Sequence, residues 1–213
     1  MHHYPDEEKN NDHLNGITDF FNKPSTHYSL GAILVYGIFV GVLFWGAFHW
    51  AIELSNTQAF CVSCHEHRDN ALPELQASRH YNNESGIRAR CHDCHVPDEW
   101  AYKLGRKVYV TNELFHHLRG SISTPEKYEA KRLQMASYIW QSMKKSDSRE
   151  CRNCHNFDYM DLKAQDGVAA RQHRLAQEQK VTCIECHQGI AHKLPTGAPE
   201  RHLLTEIPTE AKK

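Results

Sequence analysis

All eight cysteines of this chain, each pair followed by one of its seventeen histidines, fall into four copies of one pattern, Cys-x-x-Cys-His. They are Cys61-Val62-Ser63-Cys64-His65, Cys91-His92-Asp93-Cys94-His95, Cys151-Arg152-Asn153-Cys154-His155 and Cys183-Ile184-Glu185-Cys186-His187. Two thiols three residues apart can form thioethers to the two vinyl groups of one haem, while the adjacent imidazole reaches the iron. Four motifs with no cysteine left over predict four covalently bound c-type haems. Structural zinc also uses Cys-x-x-Cys, but tetrahedral thiolate coordination gives no reason for a histidine directly after the second cysteine in every copy. A thioredoxin-like dithiol wants one motif beside a strand and helix pattern, and no such pattern surrounds these four.

The elements that must position these groups begin with an anchor. Leu30 to Ile52, LGAILVYGIFVGVLFWGAFHWAI, carries no charge, and as a helix it would span about 34 Å, enough to cross a bilayer core. A polar stretch precedes it and no cleavage site follows, so it reads as an uncleaved signal anchor with Tyr28, Trp45 and Trp50 at the interfaces. Lys9 and Lys23 stand against five acidic residues before it, which leaves the positive-inside rule nearly silent. Orientation follows from haem attachment, which takes place on the outer face of the bacterial inner membrane. The expected organisation is a cytoplasmic segment 1–28, a transmembrane anchor 29–54, a periplasmic haem domain 55–195 and a tail 196–213. Gly37 and Gly41 form a Gly-x-x-x-Gly that suits a homo-oligomer of this helix. His2, His3 and His13 in the first segment match no recognised role.

A net charge of −1 over 213 residues gives no reason to expect a nucleic-acid partner. Only 40% of residues are hydrophobic, and many of those lie in the anchor. The remainder is too polar for a large side-chain core, so four porphyrins must supply it.

Motif starts are spaced by 30, 60 and 32 residues, which divides the soluble part into two dihaem halves, 61–100 and 151–192. His80 lies eleven residues before Cys91 and His173 ten before Cys183. Both occupy the same place in their half, on a helix leading into its second motif, and both are candidate distal ligands. Between the halves, Thr124-Pro125-Glu126 marks a helix start. Tyr128, Leu133, Ala136, Ile139, Trp140 and Met143 then recur on one helical face. Strand signals are scarce. The expected fold is mainly α with extensive loops, one N-terminal transmembrane helix followed by a small multihaem cytochrome c domain, and an extended or disordered tail after Leu194.

One membrane helix ahead of four haem motifs resembles the NapC/NirT family of tetrahaem cytochromes, which includes the cytochrome nitrite reductase small subunit. HYNNESGIRARCHDCHVP, STPEKYEAKR, SRECRNCHNFDYMD and TCIECHQGIAHKLP are similar to that family, and the resemblance covers residues 30 to 195. It implies an electron-transfer protein with quinol dehydrogenase activity in anaerobic respiration. Menaquinol or ubiquinol would be the electron source, and a periplasmic nitrate or nitrite reductase, or a soluble cytochrome, the acceptor. The rival is a haem enzyme that itself reduces a small nitrogen or sulfur oxyanion, which would need an iron with an open coordination position.

The resemblance also implies roles for single residues. His95, His155 and His187 are proximal ligands, and His80, His117, His173 and His192 are available as further ligands, with His116 able to substitute for His117. Which of these serves which haem stays open. At the first haem the family commonly carries a ligating methionine two residues beyond the motif histidine, and here Cys64-His65-Glu66-His67 puts His67 in that place. Either His65 or His67 then ligates, with an expected potential lower than a thioether would give. Lys107 and Glu113 are implied at the quinol site, Lys107 as hydrogen-bond donor and Glu113 as proton acceptor.

Overall fold

The computed structural model describes residues 24, 26–200 and 203–205. The expectations for residues 1–23, with His2, His3 and His13, lie outside the described residues, as do residues 201–202 and 206–213 of the tail. The chain divides into two compact units, one up to Glu53 and one from Leu54 onward.

The first unit is carried by α1 (Leu30–Leu54), long and apolar enough to cross a membrane. No residue of α1 is buried, which suits a helix whose solvent is lipid, since its backbone hydrogen bonds are all satisfied internally. A Cβ added at Gly37 or Gly41 would meet nothing within 4 Å.

The second unit is helix and loop, with no strand among the described residues. Its elements are α2 (Gln58–Cys61), a π turn (His67–Ala71), α3 (Leu72–Ala77), α4 (Cys91–His95), α5 (Trp100–Leu118) and α6 (Pro125–Lys145). There follow α7 (Arg149–Arg152), 3₁₀ turns at Phe157–Tyr159 and Leu162–Ala164, α8 (Gly167–Gln179) and α9 (Cys183–Cys186). Side-chain caps set several of these boundaries. Thr124 Oγ1 accepts from Lys127 N with Pro125 at the first helical position, so α6 begins where its sequence signature lies. Asp166 accepts from Val168 N and Ala169 N at the head of α8. Thr182 and Glu185 form a capping box on α9.

The correspondence of His80 with His173 holds in sequence position and not in conformation. His173 lies on α8, whereas His80 sits in a turn beyond α3. Ser78 ends α3 in an extended conformation with its Oγ donating to Leu75 O. Ala89 N then donates to His80 O across a loop that needs Gly86 at φ +72°.

Ser148 joins the approaches to the third and fourth motifs. It is fully buried at φ +51°, and its Oγ accepts from Ile184 N at 3.1 Å. The tail is not simply extended: it turns at Pro195–Ala198, where Ala198 N donates to Pro195 O with Gly197 at φ +79°, and Leu204 exchanges hydrogen bonds in both directions with the Gln172 side chain on α8.

Among the described residues the buried apolar side chains are Leu75, Leu175 and Ile184. At about 2 kcal/mol each for full burial, three side chains cannot offset the chain entropy of a domain this size. The unloaded chain is therefore expected to show no cooperative thermal transition by circular dichroism. A sharp melt of haem-free protein would contradict this.

Candidate functional site

The second, third and fourth motifs fold as single helical turns, whereas the first straddles a break, with α2 ending at Cys61 and helix resuming at His65. His155 N donates to Cys151 O and His187 N to Cys183 O, both at 2.8 Å, and α4 spans its whole motif. Residues i, i+3 and i+4 share one helical face, so both cysteines and the histidine of each of these three motifs project together.

Each motif histidine faces one histidine from outside the motifs. Ring centres are 6.0 Å apart for His65 and His117, 6.2 Å for His155 and His80, 6.3 Å for His95 and His192, and 5.9 Å for His187 and His173. Two imidazoles on opposite sides of one metal, with metal–nitrogen bonds of about 2 Å, hold their centres about 6 Å apart. The four pairs thus have the separation that a six-coordinate iron requires, which is the fit expected of a chain built for four haems. Two pairs cross between the halves: His80 of the first faces the third motif, and His192 of the second faces the second motif. The remaining implied ligand, His67, stands outside the pairs, with its Nδ1 3.1 Å from Cys61 O.

At the first pair, ligand atoms of Cys64, Glu66 and His117 lie within 4.8 Å of one another. Glu66 is 2% exposed, and both its carboxylate oxygens lie 2.8–2.9 Å from His117 Nδ1. A carboxylate only accepts, so Nδ1 carries the proton and Nε2 is left for a metal. Burial pushes the Glu66 carboxyl upward, but hydrogen bonds from its own backbone and from His117 outweigh this and hold it below the ordinary range. His116 bonds Ser121 Oγ at 2.8 Å instead of joining a pair.

The second pair is braced by a buried ion cluster. Arg132 donates to both oxygens of Glu74 at 2.9 and 2.8 Å and also to Glu129. Glu74 Oε2 further accepts from Lys193 N, the residue after His192. On the other side, Arg106 Nε donates to His95 O at 3.1 Å. Burial drives the His95 pKa down to about 3, with His192 as the next cause, so its ring stays neutral and able to ligate. At the fourth pair, His173 Nδ1 donates to Gln165 Oε1 at 2.6 Å.

The anchoring sulfurs of successive motifs neighbour one another. As free thiols, Cys61 is raised and Cys91 lowered chiefly by the hydrogen bond between them. Cys94 is pushed up to about 11 by burial and then by Cys151, and Cys151 likewise by burial and then by Cys183. Asn153 Nδ2 donates to Asp98 Oδ2, tying the third motif to the loop after the second.

Lys107 and Glu113 both lie on α5. Lys107 Nζ donates to Ser55 O at 3.1 Å and is close enough to Cys61 to lower that thiol, though Cys91 and burial prevail. Glu113 Oε1 is 3.5 Å from Arg106 Nη2, so Arg106 links Glu113 to the second motif. Arg106, Glu66, Glu74, Arg132 and Gln165 are partners that motif reading misses. For Glu66 alone there was a local signal, a carboxylate directly after a motif histidine.

Comparison with known proteins gives concordant findings. The NapC/NirT cytochrome c family, N-terminal region, matches residues 23–197. The chain is 49% identical over 195 residues to the denitrification system component NirT of Stutzerimonas stutzeri, covering 92% of this chain and 97% of that protein. It is 52% identical over 167 residues to the cytochrome c-type protein NapC of Escherichia coli strain K12, covering 78% and 84%. With the cytochrome c-type protein TorC of the same strain it shares 41% over 174 residues, 81% of this chain and 44% of that one. No solved structure matches.

Proposed function

This chain belongs to the NapC/NirT cytochrome c family, and we propose that it is a membrane-anchored tetrahaem cytochrome c that oxidises membrane quinol and delivers the electrons to a periplasmic reductase of the nitrate or nitrite type. Covalent haem supplies one-electron Fe(III)/Fe(II) chemistry. The observation that carries the reading is the set of four imidazole pairs. Each motif histidine faces a second imidazole, so this chain would supply two imidazoles to hold each haem. That favours electron transfer over a reductase that binds a small oxyanion itself.

In this reading the pairs would hold the haem irons: His65 with His117, His95 with His192, His155 with His80, and His187 with His173. Cys61 and Cys64, Cys91 and Cys94, Cys151 and Cys154, and Cys183 and Cys186 anchor the porphyrins, and the neighbouring sulfurs string them in motif order. Residues 1–28 are cytoplasmic, α1 spans the inner membrane, residues 55–195 lie in the periplasm, and 196–213 form a tail. The open small-residue face at Gly37 and Gly41 suits pairing with a second copy. Lys107 donates a hydrogen bond to the quinol ring oxygen. Glu113 takes a proton as the quinol is oxidised, with its carboxylate held by Arg106.

Anaerobic mixing of the holoprotein with a menaquinol or ubiquinol analogue is expected to grow the reduced c-haem band in a stopped-flow trace. Removing the proton acceptor in Glu113→Gln should slow that phase roughly 100-fold, the order of a general-base contribution. An unchanged rate would remove Glu113 from the site. Absence of reduction by either quinol, in protein whose four haems dithionite reduces, would overturn the quinol reading.

A further inference from the structure

The two variable positions of a Cys-x-x-Cys-His motif take no part in holding haem, so their contacts can serve another end. In the third motif Arg152 turns back on the chain before it. Its Nε donates to Asp147 O at 2.8 Å and its Nη2 to Asp147 Oδ1 at 2.9 Å. In the fourth motif Ile184 is buried, and its N–H donates to Ser148 Oγ at 3.1 Å. Both motifs thus grip the same corner, between α6 and α7. Asp147 and Ser148 stand there at φ +53° and +51°, a left-handed conformation that persists only where the surroundings hold it. Ser148 N donates to Met143 O at 2.7 Å, and Ser148 O accepts from Cys151 N and Arg152 N at 3.0 and 3.2 Å. Its carbonyl therefore opens the turn that carries Cys151, while its hydroxyl takes the N–H of the residue after Cys183. Lys144, near the end of α6, adds an ion pair with Glu185 of the fourth motif.

We propose that Ser148 is a positioning residue that sets the third haem against the fourth, and that electron passage between these two depends on its hydroxyl. The proposal rests on the relay reading above. An N–H in the first turn of a helix has no partner within that helix, so the acceptor it finds elsewhere fixes where the turn sits. Thr182 and Glu185 cap α9 from within the fourth motif's own segment. The acceptor for Ile184 N comes instead from 36 residues earlier, at the head of the third motif, and ties the placement of one motif to that of the other. The sulfurs reflect this closeness, since burial and then Cys183 raise the Cys151 thiol. Misplacing reacting groups by about 1 Å can cost about 100-fold in rate, which gives such a joint a kinetic role.

The test compares Ser148→Ala with Ser148→Gly in the four-haem protein. Both lack the hydroxyl, but glycine adopts the left-handed corner freely and alanine does not, so the alanine variant should melt at the lower temperature. In each, hydrogen exchange of the Ile184 amide should rise about tenfold, the size of one net hydrogen bond. Electron transfer from the fourth haem to the third should slow about tenfold in both, the lower end of what losing an outer partner costs at a metal site. That transfer is read in a His173→Ala background holding one electron, where the fourth iron binds carbon monoxide. Flash release of the gas lets the electron pass to the oxidised third haem, leaving the fourth oxidised and the third reduced. A merely structural role predicts a rate that follows the melting order, with glycine near the parent. That result overturns the proposal, and so does an unchanged rate in both variants. If His173→Ala binds no carbon monoxide, or releases it with no electron reaching the third haem, the relay reading fails and takes the role of Ser148 with it. Should neither Ser148 variant mature with four haems, hydrogen exchange in the unaltered protein decides. An Ile184 amide protected like those inside α6 upholds the joint, and one that exchanges as fast as an exposed loop overturns it.

Discussion

Replacing His80 by alanine is expected to convert one haem of the four to a five-coordinate, high-spin form that binds carbon monoxide, and to cut electron delivery from quinol to an acceptor by about 100-fold or more. The direction follows from the pair His80 and His155, whose ring centres lie 6.2 Å apart. The size follows from the general cost of disturbing such a site, since loss of partners one shell further out already costs roughly 10- to 100-fold. In motif order the third site lies in the middle of the relay. Reduction of the haems before it by quinol should therefore continue in stopped flow while delivery past it stalls. A four-haem His80→Ala protein with no carbon monoxide adduct would separate His80 from the third motif.

The second large effect is expected at Glu74. Arg132 is 9% exposed at its side chain and Glu74 10%. Truncating Glu74 to alanine leaves a buried guanidinium with Glu129 alone, itself 58% exposed. Breaking a buried ion pair costs about 3–5 kcal/mol. Because Glu129 remains, the lower end, about 3 kcal/mol, is expected for thermal unfolding of the holoprotein. Lys193 N loses its acceptor in the same variant, so the segment carrying His192 should loosen and part of the second haem should turn high-spin. Replacing both Glu74 and Arg132 by leucine removes the stranded charge, and its stability should recover most of the loss. Equal losses in the single and double variants would rule out the stranded cation as the cause.

The anchor helix and the Cys-x-x-Cys-His motifs were legible because their physics is local. An uncharged run long enough to cross a bilayer and the spacing of Cys-x-x-Cys-His both lie within one stretch of chain, and so does the Thr124-Pro125 signature at the start of α6. The arrangement of the pairs was not legible, because His80 and His192 act on motifs far away in sequence. Periodicity misled at His80. Its place before the second motif matched that of His173, but Ser78 stops α3 and Asn82-Asn83 with Gly86 turn the chain, so His80 is presented from a loop. Leu133, expected on the apolar face of α6, is 36% exposed, whereas Arg132 beside it is buried through its ion pairs. Hydrophobic pattern cannot foresee a buried charge, because its partners Glu74 and Glu129 come from different elements.

The exchange of His80 and His192 between the halves bears on how the molecule is assembled. In the proposed topology the haem part crosses the membrane from its N-terminal end and presents cysteines in motif order, yet it completes its imidazole pairs in another sequence. The first site has both rings once His117 is out, the third once His155 follows, and the fourth once His187 does. The second must wait for His192, so the site whose cysteines emerge second is the last to close. Truncation just before His192 would leave three sites with both rings and one permanently half-made, and neither half could be secreted and matured as a module of its own.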